Sequence, residues 1–127
     1  MKTENAVRVL LAAILLAVFS GCATYPHSGQ KALVGVWTNS LGTVWTIKAD
    51  GTFSVDLNRD GKPDAWGRYV VAHDTVRIFD ARGHVPKACK GEGVYRFQRS
   101  ERMLHFTLVK DTCKLRVKNV LLDWRKQ

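Results

Sequence analysis

No run of apolar residues in this chain reaches the ~20 needed to cross a bilayer as a helix. The longest, Val9 to Phe19, has 11, so a membrane-spanning bundle is excluded. Cysteine is scarce, with three in 127 residues, and no C-x-x-C pair marks a zinc site. Glutamate is scarcer still: beyond residue 21 only Glu92 and Glu101 occur, and nothing pairs them as acid and base. Ser54 and Ser100 lack the context of a nucleophile. His27, His73, His84 and His105 have no partner at metal-ligand spacing. Acidic residues are outnumbered 20 to 11, a net charge of +9. The chain is too short for two full domains. At 46% hydrophobic it is too apolar to be disordered. These absences leave one small, basic, non-enzymatic domain.

What is present begins with an address. Lys2 and Arg8 precede the apolar run and small residues follow it, the layout of a secretory signal peptide over residues 1–21. Phe19-Ser20-Gly21-Cys22 resembles a bacterial lipobox, with Phe19 where Leu is usual. The resemblance implies that Cys22 is diacylated and becomes the mature N-terminus, and two acyl chains make a stable anchor. Residues 22–31 then read as the acylated cysteine and a short tether. Ala23, in place of the Asp that favours inner-membrane retention in such proteins, points to the outer membrane. Without Lys2, Arg8 and Glu4 the charge is 18 − 10 = +8. Nucleic acid is not an expected partner, because the chain is exported and lacks an aromatic-basic recognition motif. Cys89 and Cys113 remain, and an even pair in an exported domain reads as one disulfide; two free thiols are the alternative.

From Leu33 onward the apolar period is two, the signature of strands. Strands are expected at Val34 to Asn39, Thr43 to Lys48, Thr52 to Leu57, Ala65 to Val71, Thr75 to Asp80, Glu92 to Gln98 and Met103 to Lys110. Ala49-Asp50-Gly51 is a turn signal. Asn58 to Asp64 and Ala81 to Gly91 read as loops. Val117, Val120 and Leu121 fit one helical turn, and Leu122 to Lys126 a closing strand with Trp124 inward. Regularly spaced short strands suggest a sandwich or barrel. Gly67-Arg68-Tyr69 and Gly93-Val94-Tyr95 echo one another as strand starts.

Gly35-Val36-Trp37 is similar to the G-x-W opening of lipocalins and other calycins. With the Asp50-Gly51-Thr52-Phe53 hairpin, the G-x-Y strands, Asp111-Thr112-Cys113-Lys114-Leu115-Arg116 and the terminal Trp124, about residues 33–125 resemble the small bacterial lipocalin-like lipoproteins, and the barrel domain is read as residues 32–127. The resemblance implies an all-β fold: an eight-stranded up-and-down antiparallel barrel, with a short helical turn before the last strand. It also implies an arginine packed over Trp37. Arg116 is the matching position, with Arg125 as a rival.

Three features bear on function. Asp56-Leu57-Asn58-Arg59-Asp60-Gly61-Lys62-Pro63-Asp64 matches D-x-[DN]-x-[DN]-G with a further Asp at position nine. Oxygens of Asp56, Asn58, Asp60 and Asp64 are therefore expectations for a calcium site, the alternative being a polar loop built on Asx-turns. Trp37, Trp45, Trp66, Tyr69, Tyr95 and Trp124 read either as core or as the lining of a pocket for a small apolar or amphipathic ligand. Lys87, Lys90, Lys110, Lys114, Arg116 and Lys118 cluster around both cysteines, which reads either as a solvated basic surface or as a patch for an anionic envelope surface or an acidic protein. Two functions follow: a membrane-anchored ligand-binding barrel, or a filled barrel that acts as a structural or interaction protein.

Overall fold

The computed structural model describes residues 29–127. The expected signal peptide, Cys22 and the tether up to residue 28 lie outside the described residues. Alternation of apolar and polar side chains produces eight strands: β1 (Gly35–Thr38), β2 (Val44–Ile47), β3 (Thr52–Asp56), β4 (Ala65–Ala72), β5 (Thr75–Gly83), β6 (Gly93–Ser100), β7 (Met103–Lys110) and β8 (Trp124–Lys126). Each pairs antiparallel with its neighbours in chain order. β8 returns to β1 through Trp37↔Lys126 and Thr38↔Arg125. This is the expected all-β, eight-stranded up-and-down antiparallel barrel. Closure pairs every strand on both sides and removes the exposed edges that small sheets must otherwise protect.

Two short helices close the ends. α1 (Gln30–Leu33) precedes β1, and α2 (Lys114–Val120) precedes β8. Because β1 and β8 are antiparallel, the helices cap opposite mouths. Terminal helix carbonyls lack intrahelical partners, and each helix meets this need in the same way. A tryptophan four residues on turns back, so that Trp37 Nε1 donates to Leu33 O at 2.8 Å and Trp124 Nε1 to Val120 O at 3.0 Å. The expected helical turn before the last strand is thus present, but it starts earlier, at Lys114. There Cys113 Sγ accepts from Arg116 N. α1 takes in Gln30 and Lys31, which the sequence assigned to the tether.

Eight strands enclose a space just wide enough for side chains, and aromatic rings occupy it. Trp45 lies 5.1 Å from Trp124 and 5.5 Å from Phe106, centroid to centroid, and meets Phe53 edge-on at 6.2 Å. Tyr95 and Phe97 pack on Phe106 from the next strand. Of the six aromatics singled out in sequence, Trp37, Trp45, Tyr69, Tyr95 and Trp124 are buried here. Trp66 is the exception, at 45% exposed. Alternation along β4 turns Gly67, Tyr69 and Val71 inward, so Trp66, Arg68 and Val70 face out. Leu57 also departs from expectation. β3 ends at Asp56, one residue short of the expected strand, and Leu57 sits exposed on the rim of one mouth beyond Phe53 and Val55.

The cation over Trp37 is not Arg116. Arg99 lies 5.3 Å from the Trp37 ring and donates to Ala32 O, and Lys126 Nζ is 5.9 Å away. Arg116 is held at the opposite mouth by Asp111. Arg125 sits next to the inward Trp124 and therefore faces solvent. A cation over an indole contributes about 0.5–2 kcal/mol. Arg99→Ala is therefore expected to cost that much in urea denaturation, whereas Arg125→Ala changes little.

Candidate functional site

The mouth capped by α2 gathers the segments that join β1 to β2, β3 to β4, β5 to β6 and β7 to β8. Its frame is the Cys89–Cys113 disulfide, which fastens a 3₁₀ turn (Lys87–Lys90) to the N-terminus of α2. Behind it lies a polar network built from D-x-C-x-x-R. Asp111 accepts from Arg116 Nε at 2.5 Å, from Arg116 Nη2 at 2.8 Å, from Cys113 N at 2.8 Å and from the Tyr95 hydroxyl. Two further guanidinium donors reach Cys89 O at 3.0 Å and Gly91 O at 2.9 Å. One arginine therefore ties together both sides of the disulfide-closed loop. Gly93 makes room for it: a Cβ there would stand 2.5 Å from Asp111 Oδ2 and 3.0 Å from Arg116 Nε. Gly67 has a different reason, since its Cβ would meet Phe53 Cζ at 2.9 Å. The two G-x-Y strand starts share a form but not a cause.

Burial in this network works against ionisation of Asp111. The hydrogen bonds from Arg116, Tyr95 and the Cys113 amide outweigh it and hold the carboxyl below the usual range. Burial also disfavours the Arg116 charge, but Asp111 more than restores it. The Tyr95 hydroxyl is pushed far up, by burial first and then by Asp111. At neutral pH the trio is an ion pair with a neutral phenol.

In front of the network is a pocket of about 140 Å³. Phe53 and Val55 line it from the barrel, Pro86 and the disulfide from the side, and Leu57 and Leu115 from the rim. Leu115 is 63% exposed and Leu57 47%. A second space of about 60 Å³, bordered by Trp45, Ile78 and Trp124, shares Phe53, Val55, Arg116 and Asn119 with it. Its size admits about two waters. Trp45 Nε1, buried and without an acceptor among the described residues, borders it. Around the mouth, Lys87 and Lys90 stand on the 3₁₀ turn and Lys114 and Lys118 on α2, all exposed, with Lys110 at the end of β7. Among the described residues none of these five lysines has an ion-pair partner. The sequence placed Arg116 in this patch as a free charge; it is spent on Asp111 instead.

The loop from Asp56 to Asp64 turns its oxygens onto its own backbone. Asp56 accepts from the amides of Asp60 and Gly61, Asn58 from Asp60, Asp60 from Lys62, and Asp64 from Leu57. Among the described residues no three His, Cys, Asp or Glu side chains gather to hold a metal ion. These bonds are those of Asx-turns, which satisfy the amides that a tight loop exposes. Losing a hydrogen bond of this kind costs about 0.5–1.5 kcal/mol. Asp56→Ala is expected to lower the melting temperature to the same extent in calcium and in chelator.

At the α1 mouth an open groove of about 780 Å³ is lined by His73, Asp74, Arg99, His105 and Asp123. His105 Nδ1 lies 2.7 Å from Asp123 on its exposed wall. Sequence reasoning missed Arg99 as the partner of Trp37 and Asp111 as the centre of the buried network. The signal for Asp111 was the acid five residues before Arg116, on the far side of Cys113.

In comparisons with known proteins, no family model matches the chain, and no curated protein or solved structure is significantly similar to it.

Proposed function

We propose that the chain is a non-catalytic, lipid-anchored protein of the bacterial cell envelope, a lipocalin-like barrel with a packed interior that docks an acidic partner at its disulfide end. The observation that carries this reading is the size of the interior space, about 60 Å³. Small-molecule sites usually occupy ~300–1,000 Å³. Rings that fill the barrel make it a rigid body and leave recognition to its surface. The disulfide end supplies that surface, with unpaired lysines around exposed leucines on a frame fixed by covalent and ionic ties.

The sequence features at the N-terminus set the orientation of this proposal. An anchor at Cys22 in the outer membrane would join the barrel at α1, and the seven peptide links from Cys22 to Gly29 reach about 25 Å at most. The α1 mouth then faces the membrane and the lysine-rich mouth faces away from it. Capture of an acidic partner should weaken with salt, because exposed charges are screened. Reversing Lys87, Lys90, Lys114 and Lys118 to Glu should abolish capture in a pull-down; undiminished capture would refute the reading.

A second reading, binding of a small apolar or amphipathic ligand, is favoured by the roughly 140 Å³ pocket that continues into the interior space. It requires the rings around Trp45 to give way. Saturable uptake of a hydrophobic fluorophore is the result that would select it.

A further inference from the structure

We infer that the pocket at the disulfide end is an anchor site for one large apolar side chain, presented by an acidic segment of a partner protein. The inference rests on the docking reading above and specifies what the partner must carry.

Size comes first. About 140 Å³ is between four and five water volumes at ~30 Å³ each. That admits one leucine-, methionine- or phenylalanine-sized side chain and falls short of the ~300 Å³ at which small-molecule sites begin. The lining has matching chemistry. Val55, Val85, Pro86 and the disulfide present carbon and sulfur, and the Arg116 guanidinium along the edge, its charge paired with Asp111, spends four of its five N–H donors on Asp111, Cys89 O and Gly91 O. An apolar group can enter without stripping water from an unpaired charge, a step that would otherwise be costly.

The surroundings have the anatomy of a protein hot spot, a central pocket for an anchor side chain inside a ring that excludes water. Leu57 and Leu115 flank the opening and are exposed in the isolated chain. Lys87, Lys90, Lys114 and Lys118 stand outside them without acidic partners among the described residues. Those charges call for carboxylates on either side of the anchor. The pocket walls are also preorganised by the disulfide and by the Arg116 bonds across it, which lowers the ordering cost of binding.

Shape decides between a protein and a membrane. Lipid surfaces are entered by protruding apolar side chains, whereas this site is concave and receives a protrusion. An anionic bilayer would engage the lysines and leave the pocket empty.

The test uses the purified full chain and a labelled peptide with one phenylalanine flanked by four glutamates on each side. Binding is read by fluorescence anisotropy. Two control peptides replace the phenylalanine with alanine or the glutamates with lysines. The alanine peptide is expected to bind about 30-fold more weakly, the loss of one hot-spot side chain, and the lysine peptide not at all. Ala81→Trp, which fills the pocket, and Leu115→Asp, on the exposed rim where folding is not at stake, should each reduce affinity for the phenylalanine peptide to that of the alanine peptide. Equal binding of the two acidic peptides, lost on Lys114→Glu with Lys118→Glu, would overturn the anchor site and leave the docking reading standing. No preference for acidic over basic peptides would overturn both. Binding to vesicles of anionic phospholipid, with neither acidic peptide bound, would overturn the anchor site in favour of a membrane.

Discussion

Asp111→Ala is expected to destabilise the barrel by about 3–5 kcal/mol, the cost of leaving a buried cation without its counter-ion. Three groups lose their acceptor together: the Arg116 guanidinium, the Tyr95 hydroxyl and the Cys113 amide. A companion variant separates charge from shape. Asp111→Val combined with Arg116→Leu removes both ions, and replacing a buried pair with apolar groups is often near neutral. The double variant should therefore lose less than the sum of its singles. Acid titration supplies a second reading. Because the carboxyl is held below its ordinary value, its contribution is full above the unfolded value of ~3.9. It is lost as pH falls through the lower folded value. Stability from this group is flat from pH 5 to 8 and declines only below about pH 4. Asp111→Asn, measured by urea denaturation across that range, should remove this part of the acid limb. An unaltered limb would place the sensitivity elsewhere.

Removing the disulfide by Cys89→Ser with Cys113→Ser is expected to cost about 3.5 kcal/mol, the chain-entropy value for a loop of ~25 residues. The bond spans 24 positions. It closes the loop that carries β6 and β7, and it fastens the β5–β6 connection, with its 3₁₀ turn, to the start of α2. Chemical reduction should reproduce the loss, and its overlap with Asp111→Ala should be strongly non-additive. Both changes release the same unit, since Arg116 bonds to Cys89 O from one side and to Asp111 from the other. Residues in one network commonly couple by 0.5–3 kcal/mol. Simple addition of the two losses would show that the network and the bridge act separately. A melting-temperature series on the three variants decides this.

Most of the barrel can be read from the chain because alternation is a local property. Thr52 to Asp56 and Met103 to Lys110 carry it cleanly, and both are strands. What escapes is decided by partners far away in sequence. Trp66 looks like core by composition, yet Gly67 and Tyr69 own the inward positions of β4 and force the indole out. Arg116 matches the position of a tryptophan-packing arginine, but Asp111, five residues away, outcompetes an aromatic face with two charge-assisted hydrogen bonds. Arg99 then takes the place over Trp37 because the end of β6 passes beside α1, where Ala32 O is waiting. The Asp56–Asp64 segment illustrates a further limit. One spacing of carboxylates serves a cation or a set of backbone amides, and spacing alone does not separate the two. At the disulfide end the cysteine pair and the lysines were legible, whereas the pocket was not. It is assembled from three connections, β3 to β4, β5 to β6 and β7 to β8, that no single stretch of sequence brings together.

The measurement that bears most directly on the central claim, a packed barrel that recognises partners by its disulfide end, is titration of the detergent-free protein with a hydrophobic fluorophore. Native mass spectrometry of the same sample accompanies it. A packed barrel predicts no saturable fluorescence rise and a single mass, that of the covalent mature protein with nothing bound to it. Stoichiometric uptake, or a co-purifying lipid in the mass spectrum, would contradict it and make the interior the binding site.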